Sequence, residues 1–443
     1  MDRDDHIDQH AAHGGWWPGY IAHHGPGMGG RHHYHYVRDQ LIVPAGAVER
    51  AGNELADLGV AALPEANGEL GLVLLALDPA TTEGYLDRHV PTLVARLEER
   101  WEDAARSVAP NHVLGPCSHI HADASAPEPT GWRAATVEEV AAQVAAEDEP
   151  LPGAGATVGV LDTGFEDKAW FDGRVEGDAE RAIQDESGRL LPTCGHGTFV
   201  AGVVLQYAPG ARVLVRRVFS DEGVVDDWRL ALGLLELVDA RVDVVNMSIG
   251  SYTRKDYGMP AFEAALGLAR YRRPDLVLVA SAGNEGLDRP YYPAADERVL
   301  GVGAVEQDAR GRWLRADFTN FGAWWVGACA PGVDVHSTFL NYQGMVVPHH
   351  DDPHDDRDEH KEDPAYDRCG GEAYEPGKPR ILDFQGTARW SGTSFSTPVV
   401  AAAVATGMGR GASPRAALES LLGDPGLPRM QNLGVLIDPR SYG

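Results

Sequence analysis

At 443 residues the chain has room for about two or three domains of roughly 150 residues, each able to bury a core, which excludes a peptide or a lone coiled coil. Apolar residues make up 43% and charged ones 23%, and the longest apolar runs, Leu72 to Leu77 and Val399 to Ala405, fall far short of the roughly 18 residues of a membrane-spanning helix. With 38 Lys and Arg against 66 Asp and Glu, the formal charge of −28 repels polyphosphates and anionic surfaces, so neither nucleic acid nor a membrane is an expected partner.

The opening Met1-Asp2-Arg3-Asp4-Asp5-His6 lacks the basic and apolar regions of an export signal, and a cytoplasmic location is expected. Cys117, Cys194, Cys329 and Cys369 are widely spaced with no CxxC, which reads as free thiols in a reducing compartment, with no metal and no cofactor. Residues 1–36 carry eight histidines among Gly, Trp, Tyr and Pro without a period of 2 or 3.6, and read as a flexible tail. Metal binding by His32-His33-Tyr34-His35 is the lesser alternative.

From Val37 the pattern tightens into an extended run at Gln40 to Val43, a helical stretch carrying Val48, Ala51, Leu55 and Leu58, and apolar runs at Val60 to Leu63 and Leu70 to Leu77. An amphipathic helix over Pro91 to Ala105 and a short strand at His112-Val113-Leu114 complete the order β-α-β-β-α-β, that of a ferredoxin-like split βαβ unit over residues 37–115. Residues 116–150 read as a linker, with a short acidic helix over Ala135 to Glu147.

In residues 151–443, apolar runs at Thr157 to Leu161, Val213 to Val218, Asp243 to Ile249, Leu276 to Ser281 and Val299 to Val305 alternate with helical patterns such as Asp227 to Val238 and Ala261 to Tyr271. That alternation predicts a parallel sheet covered by helices on both faces. Residues 349–363 hold eight acids, two bases and four histidines, and mark a solvated acidic insertion over about residues 341–386.

Three segments carry candidate chemistry. Val158-Gly159-Val160-Leu161-Asp162-Thr163-Gly164 is an apolar strand ending on an Asp; an aspartic protease would need a second carboxylate of the same kind, and no second Asp-Thr-Gly or Asp-Ser-Gly occurs. Gly195-His196-Gly197-Thr198 sets a His between glycines that permit close backbone approach. Ser391-Gly392-Thr393-Ser394 opens an apolar helix, whose N-terminal N–H groups and dipole favour negative charge growing on a bound carbonyl oxygen. Singly these read as a turn, a structural His and an N-cap; the order Asp, His, Ser sets them apart.

In that order the chain resembles the subtilisin-like serine peptidases, over roughly residues 155–438. Ala280-Ser281-Ala282-Gly283-Asn284-Glu285-Gly286 is similar to the family segment that carries the oxyanion-hole amide, and Val245-Asn246-Met247-Ser248-Ile249-Gly250 to the strand that binds substrate backbone. The resemblance implies a three-layer α/β catalytic domain with a parallel sheet, preceded by a small α+β ferredoxin-like domain. It also implies a serine endopeptidase in which His196 takes the proton of Ser394 Oγ, Asp162 orients the imidazole, and Asn284 with the Ser394 N–H binds the oxyanion. A protein or peptide substrate would pair with Ser248, Ile249 and Gly250 as an added strand, its main pocket lying between them and Ser281, Ala282 and Gly283. Tyr292-Pro293 matches the pair that closes the far wall of that pocket. The preceding Tyr291 would shorten it, while Glu285 and Asp288 would favour a basic side chain, and the sequence leaves both open.

Two departures from the family stand out. Val203 to Gly210 runs almost directly into the next strand where many secreted relatives insert a calcium-binding loop, so that site is expected to be absent. The acidic insertion ends shortly before Ser394, where gating the cleft, selecting cationic substrates, docking a partner or a plain solvated excursion are all open readings. Residues 37–115 have the element order of the propeptide that chaperones and inhibits many of these enzymes, so they are an expected intramolecular inhibitor, although the long linker also suits a permanent docking domain. Cys194, two residues before His196, reads as a small buried residue, with a redox switch as the lesser alternative. The functional expectation is a zymogen-like, selective intracellular processing protease; the alternative is a catalytically silent peptide-binding module of the same fold.

Overall fold

The computed structural model of the protein describes residues 21–24, 33–101, 108–116, 127–133, 135, 139, 151–181, 184, 188–191, 193–346, 380–409 and 411–438. Most of the predicted helix over residues 135–147, the 349–363 segment, Cys117 and Cys369 lie outside the described residues.

The first unit runs β1 (Ile21–His24), β2 (Tyr34–Pro44), α1 (Val48–Asp57), β3 (Ala62–Asn67), β4 (Leu72–Leu77), α2 (Val90–Arg100) and β5 (Ala109–Pro116). Its strands lie in the order β5-β2-β4-β3 with every pairing antiparallel, the arrangement of a split βαβ unit. Strand alternation divides the side chains between two faces. Leu41, Val43, Val73 and Leu75 pack with Leu55 of α1 and with Leu93, Val94 and Leu97 of α2. Ile42, Leu74 and Leu114 join a different core, shared with the rest of the chain.

The sequence reading assigned residues 1–36 to a flexible tail, but residues 21–24 and 34–36 are strand, β1 pairing with β2 from Ile21↔Val37 to His24↔Tyr34. Tyr34 and Tyr36 alternate inward to the α2-side core, a period-two signal obscured by the histidines around them.

The chain continues through β6 (Glu128–Pro129), β7 (Thr157–Asp162), β8 (Val175–Gly177), β9 (Arg189–Leu190), α3 (His196–Tyr207), β10 (Arg212–Arg217), β11 (Val225–Asp226), α4 (Asp227–Asp239), β12 (Val244–Met247), β13 (Ile249–Gly250) and α5 (Pro260–Arg272). It ends with β14 (Val277–Ser281), β15 (Leu300–Gln307), β16 (Trp313–Arg315), β17 (Val326–Pro331), β18 (Val335–Val346), β19 (Arg380–Trp390), α6 (Thr393–Met408), α7 (Pro414–Gly423), β20 (Arg429–Met430) and β21 (Gly434–Leu436). The central sheet has the order β8-β10-β7-β12-β14-β15-β17-β21, parallel throughout, with β16 and β20 added antiparallel.

Helices cover both faces of that sheet, as its continuous apolar strands demand. Val158 and Val160 of β7 share a buried cluster with Phe199 and Val203 of α3 and Val400 and Val404 of α6. Leu161 shares the other with Leu230 and Leu234 of α4 and Phe262 and Leu266 of α5, and the N-terminal sheet adds Ile42, Leu74 and Leu114 to it. Helices α3 and α6 are apolar all round because both are buried on nearly every side, whereas α4 is capped at its N-terminal end by Asp226, which accepts from the Arg229 N–H.

Residues 341–346 and 380–386, at the edges of the predicted acidic insertion, belong to the antiparallel pair β18–β19. Leu382 and Phe384 face inward and Ile381 and Asp383 outward, a strand alternation that the charge of the neighbouring segment overshadowed.

Candidate active site

Each candidate catalytic side chain stands at the end of a buried element. Asp162 is the last residue of β7, at the middle of the parallel sheet, where side chains from several strand ends converge. His196 is the first residue of α3, behind Gly195, whose φ of +79° suits a residue without a Cβ. The helix approaches the strand end so closely that a Cβ at Gly197 would overlap the Gly164 carbonyl oxygen.

The His196 Nδ1 lies 2.8 and 2.9 Å from the two carboxylate oxygens of Asp162. Since a carboxylate only accepts, Nδ1 carries the proton and Nε2 is the basic nitrogen. That Nε2 is buried and makes no hydrogen bond among the described residues. The imidazole is walled by Trp390, edge-on at 5.7 Å between ring centroids, and by Phe395 at 5.5 Å. Phe395 directly follows Ser394, so the same contact brings the His196 ring to the turn that carries Ser394.

Ser394 lies in the first turn of α6, where backbone N–H groups have no intrahelical partner. Its Oγ donates to the Ser248 carbonyl at 3.1 Å, and Ser248 Oγ donates back to the Ser394 carbonyl at 2.7 Å. Asn284 follows β14 by three residues. Its Oδ1 accepts from both the N–H and the hydroxyl of Thr393, at 3.0 and 2.8 Å, which fixes Nδ2 as the opposite, donating end of the amide. The two segments that hold the candidate binding residues lie side by side: Ser281 Oγ faces the Ile249 carbonyl at 3.5 Å, and the Thr393 hydroxyl accepts from the Gly283 N–H at 3.2 Å. Asp162, His196, Ser394 and Asn284 are all fully buried, as is Ser248.

A family model described as the subtilase family matches residues 153–414, more than half of the chain. The chain belongs to the subtilase family.

Among subtilase relatives, a thermostable alkaline protease of Halalkalibacterium halodurans is 31% identical over 220 residues, 46% of this chain and 57% of that protein. Subtilisin BL of Lederbergia lenta is 32% identical over 226 residues, 46% of this chain and 77% of that protein. The likeness to the first thus spans little more than half its length. Fervidolysin from Fervidobacterium pennivorans, a keratinolytic enzyme related to subtilisin, shares the fold with a TM-score of 0.57 at 18% identity, over 92% of this chain and 61% of that one.

Two parts of this subtilase site were missed in the sequence. Thr393 was quoted only as a neighbour of Ser394, yet its hydroxyl and N–H both orient Asn284. Glu180 lies in a stretch without a motif; its carboxylate accepts from Thr163 Oγ1 at 2.9 Å and Gly195 N–H at 3.1 Å, tying the Asp162 turn to the start of α3. Thr163 Oγ1 accepts in turn from the Gly197 N–H at 3.1 Å. Desolvation, reinforced by the nearby Asp162 charge, pushes the Glu180 carboxyl up to about 8 against the pull of its hydrogen bonds. Burial likewise pushes the Cys194 thiol up, which disfavours the reactive thiolate that a redox switch would need.

The N-terminal unit reaches β13 directly. Gly115 and Pro116 at the end of β5 pair antiparallel with Gly250 and Ile249, while Leu114 and Val113 pair with Val225 and Asp226. Further along, Glu128 and Pro129 pair with Arg389 and Ala388 of β19, the strand that leads into Ser394. Asn111 Oδ1 accepts from the Trp228 N–H in the first turn of α4 at 3.2 Å. Glu98 forms a two-pronged pair with Arg254 at 2.6 and 3.0 Å and also accepts from Lys255 at 2.9 Å.

Proposed function

We propose that the protein is a serine endopeptidase in which Ser394 attacks the scissile carbonyl, His196 Nε2 accepts its proton and passes it to the leaving amine, and Asp162 fixes the tautomer and stabilises the imidazolium. The observation that carries this reading is the pairing of His196 Nδ1 with both Asp162 oxygens while the ring packs on the residue after Ser394. Ser394 Oγ must turn from the Ser248 carbonyl toward Nε2, and a substrate N–H that takes over that carbonyl would release it. The Asn284 amide, oriented by Thr393, and the Ser394 N–H would hold the oxyanion. In enzymes of this design one such donor contributes about 2.7–4 kcal/mol of transition-state stabilisation.

The N-terminal unit is read as an intramolecular inhibitor. Its β5 occupies the edge of Ile249–Gly250, where a substrate strand would add, and the buried catalytic groups agree with an occluded, zymogen-like form. A selective processing role within the cell is supported by this occlusion and by the free, buried Cys329, which suits a reducing compartment.

A fluorophosphonate probe tests the reading. Covalent labelling of the wild-type chain, located at Ser394 by mass spectrometry and lost in Ser394→Ala, is the expected result. An unlabelled wild-type chain that still binds peptide would favour the silent peptide-binding module.

A further inference from the structure

We propose that the primary pocket admits only small side chains, those of glycine, alanine or serine, at the residue before the scissile bond, because Tyr291 already fills it. The inference rests on the peptidase reading and gives it a substrate class.

The pocket lies between β13 and the Ala282–Gly283 segment that follows β14, and the same edge of the Tyr291 ring faces both walls. A Cβ at Gly250 would overlap Cδ1 and Cε1 of Tyr291, and one at Gly283 would stand 3.1 Å from Cδ1. A ring in van der Waals reach of both main chains leaves no room for a second large side chain between them. Tyr291 is 6% exposed and packs edge-on against Tyr252 at 5.0 Å. Its backbone is equally fixed: Ser251 and Tyr292 exchange N–H···O bonds of 2.9 Å, and Ala295 N–H donates to the Tyr291 carbonyl at 2.8 Å. The segment that carries the ring is therefore bonded to the residue directly after β13.

The rival reading of this pocket is selection of a basic side chain by Glu285. Its Oε2 accepts from Asn320 Nδ2 at 2.8 Å and from the Tyr252 hydroxyl at 3.3 Å. It also lies behind Gly283, 2.9 Å from where a Cβ would be, and desolvation pushes its carboxyl up to about 7. Glu285 thus braces Tyr252 and Asn320 and is a poor counter-ion for an incoming cation. Asp288 is exposed.

The test compares kcat/KM of the full-length chain on three peptides identical except for Ala, Phe or Arg before the scissile bond. The Ala peptide should be favoured at least tenfold over the other two. In Tyr291→Gly and Tyr291→Ala the Phe-to-Ala ratio should rise at least tenfold, a ratio that a general loss of folded protein does not move. A wild-type ratio near one, a preference for Arg, or an unchanged ratio in both variants overturns the proposal. If neither the wild type nor Glu98→Ala, which loses the ion pair holding the N-terminal unit to Arg254, cleaves any of the peptides or takes up fluorophosphonate, the peptidase reading is overturned instead, and this inference with it.

Discussion

Ser394 and Ser248 exchange hydrogen bonds, each hydroxyl donating to the other's main-chain carbonyl, at 3.1 and 2.7 Å. The pair joins the first turn of α6 to the link between β12 and β13, and Asn246 Nδ2 completes it by donating to Ser248 Oγ at 3.0 Å. The two hydroxyls therefore tie the turn that carries Ser394 to the chain just before β13.

Ser248→Ala removes one of the two bonds, leaves the one from Ser394 Oγ to the Ser248 carbonyl, and strands two buried partners, the Ser394 carbonyl and the Asn246 amide. The expected cost is about 1–3 kcal/mol of unfolding free energy, measured in urea, with kcat falling more than KM rises. Unchanged stability together with unchanged kcat would show that the pair does not position Ser394.

Glu180 gives the fold a pH dependence of definite sign. Its carboxyl titrates near 8 in the folded chain and near its ordinary value of 4.5 when unfolded, so between those values the native state holds the extra proton. Stability is then fully present below about pH 4.5 and declines as pH rises toward 8. Unfolding at pH 5 and pH 8.5 should show Glu180→Gln losing less stability over that interval than the wild type, by up to a few kcal/mol. Parallel losses in the two chains would remove Glu180 as the cause.

Metal removal should leave the melt unchanged. Ala208 to Ala211, which link α3 to β10, contain no carboxylate, and among the described residues no group of three or more His, Cys, Asp or Glu is placed to hold a metal ion. Excess EDTA is expected to shift Tm by less than about 2 °C. A larger drop, reversed by calcium, would reveal a cation site that these elements do not supply.

The parallel sheet was legible because continuous Val-rich runs have few other solutions, and β7, β12 and β14 fall within a residue or two of their predicted bounds. The catalytic candidates were legible because Gly195, Gly197 and Gly392 punctuate them with backbone requirements that few other residues meet. Glu180 was not, since a lone acid in a polar stretch reveals its partners only after the chain folds. Nor was the course of β1, β6 and the arms of β18–β19, where histidines, prolines and neighbouring charge hid short strands that depend on distant partners for their pairing. The choice between Tyr291 and Glu285 turned on which group reaches the gap between two glycines, a distance that no spacing in the sequence encodes.

The hold of the N-terminal unit should depend on Glu98. Desolvation would raise its carboxyl, but hydrogen bonds from Arg254 and Lys255 outweigh that and keep it below its ordinary 4.5. Its contribution is therefore complete above about pH 4.5 and is lost as pH falls through the lower, folded value. The Glu98 and Arg254 side chains are only 11% and 13% exposed, so removing the acid leaves a largely desolvated guanidinium behind, at a cost of about 3 kcal/mol. Next to it, His112 Nε2 accepts from the Arg254 N–H at 3.1 Å, and burial, aided by the Arg254 charge, holds the imidazole down to about 3. Neither group changes charge between pH 5 and 8, so their contact should be constant across that range. If this contact keeps β5 on the edge of Ile249–Gly250, full-length Glu98→Ala should hydrolyse peptides at least tenfold faster than the wild type. Glu98→Gln, which keeps the shape and loses the charge, should fall between them. Equal rates in all three chains, with the variants shown to be folded, would detach the N-terminal unit from control of the cleft.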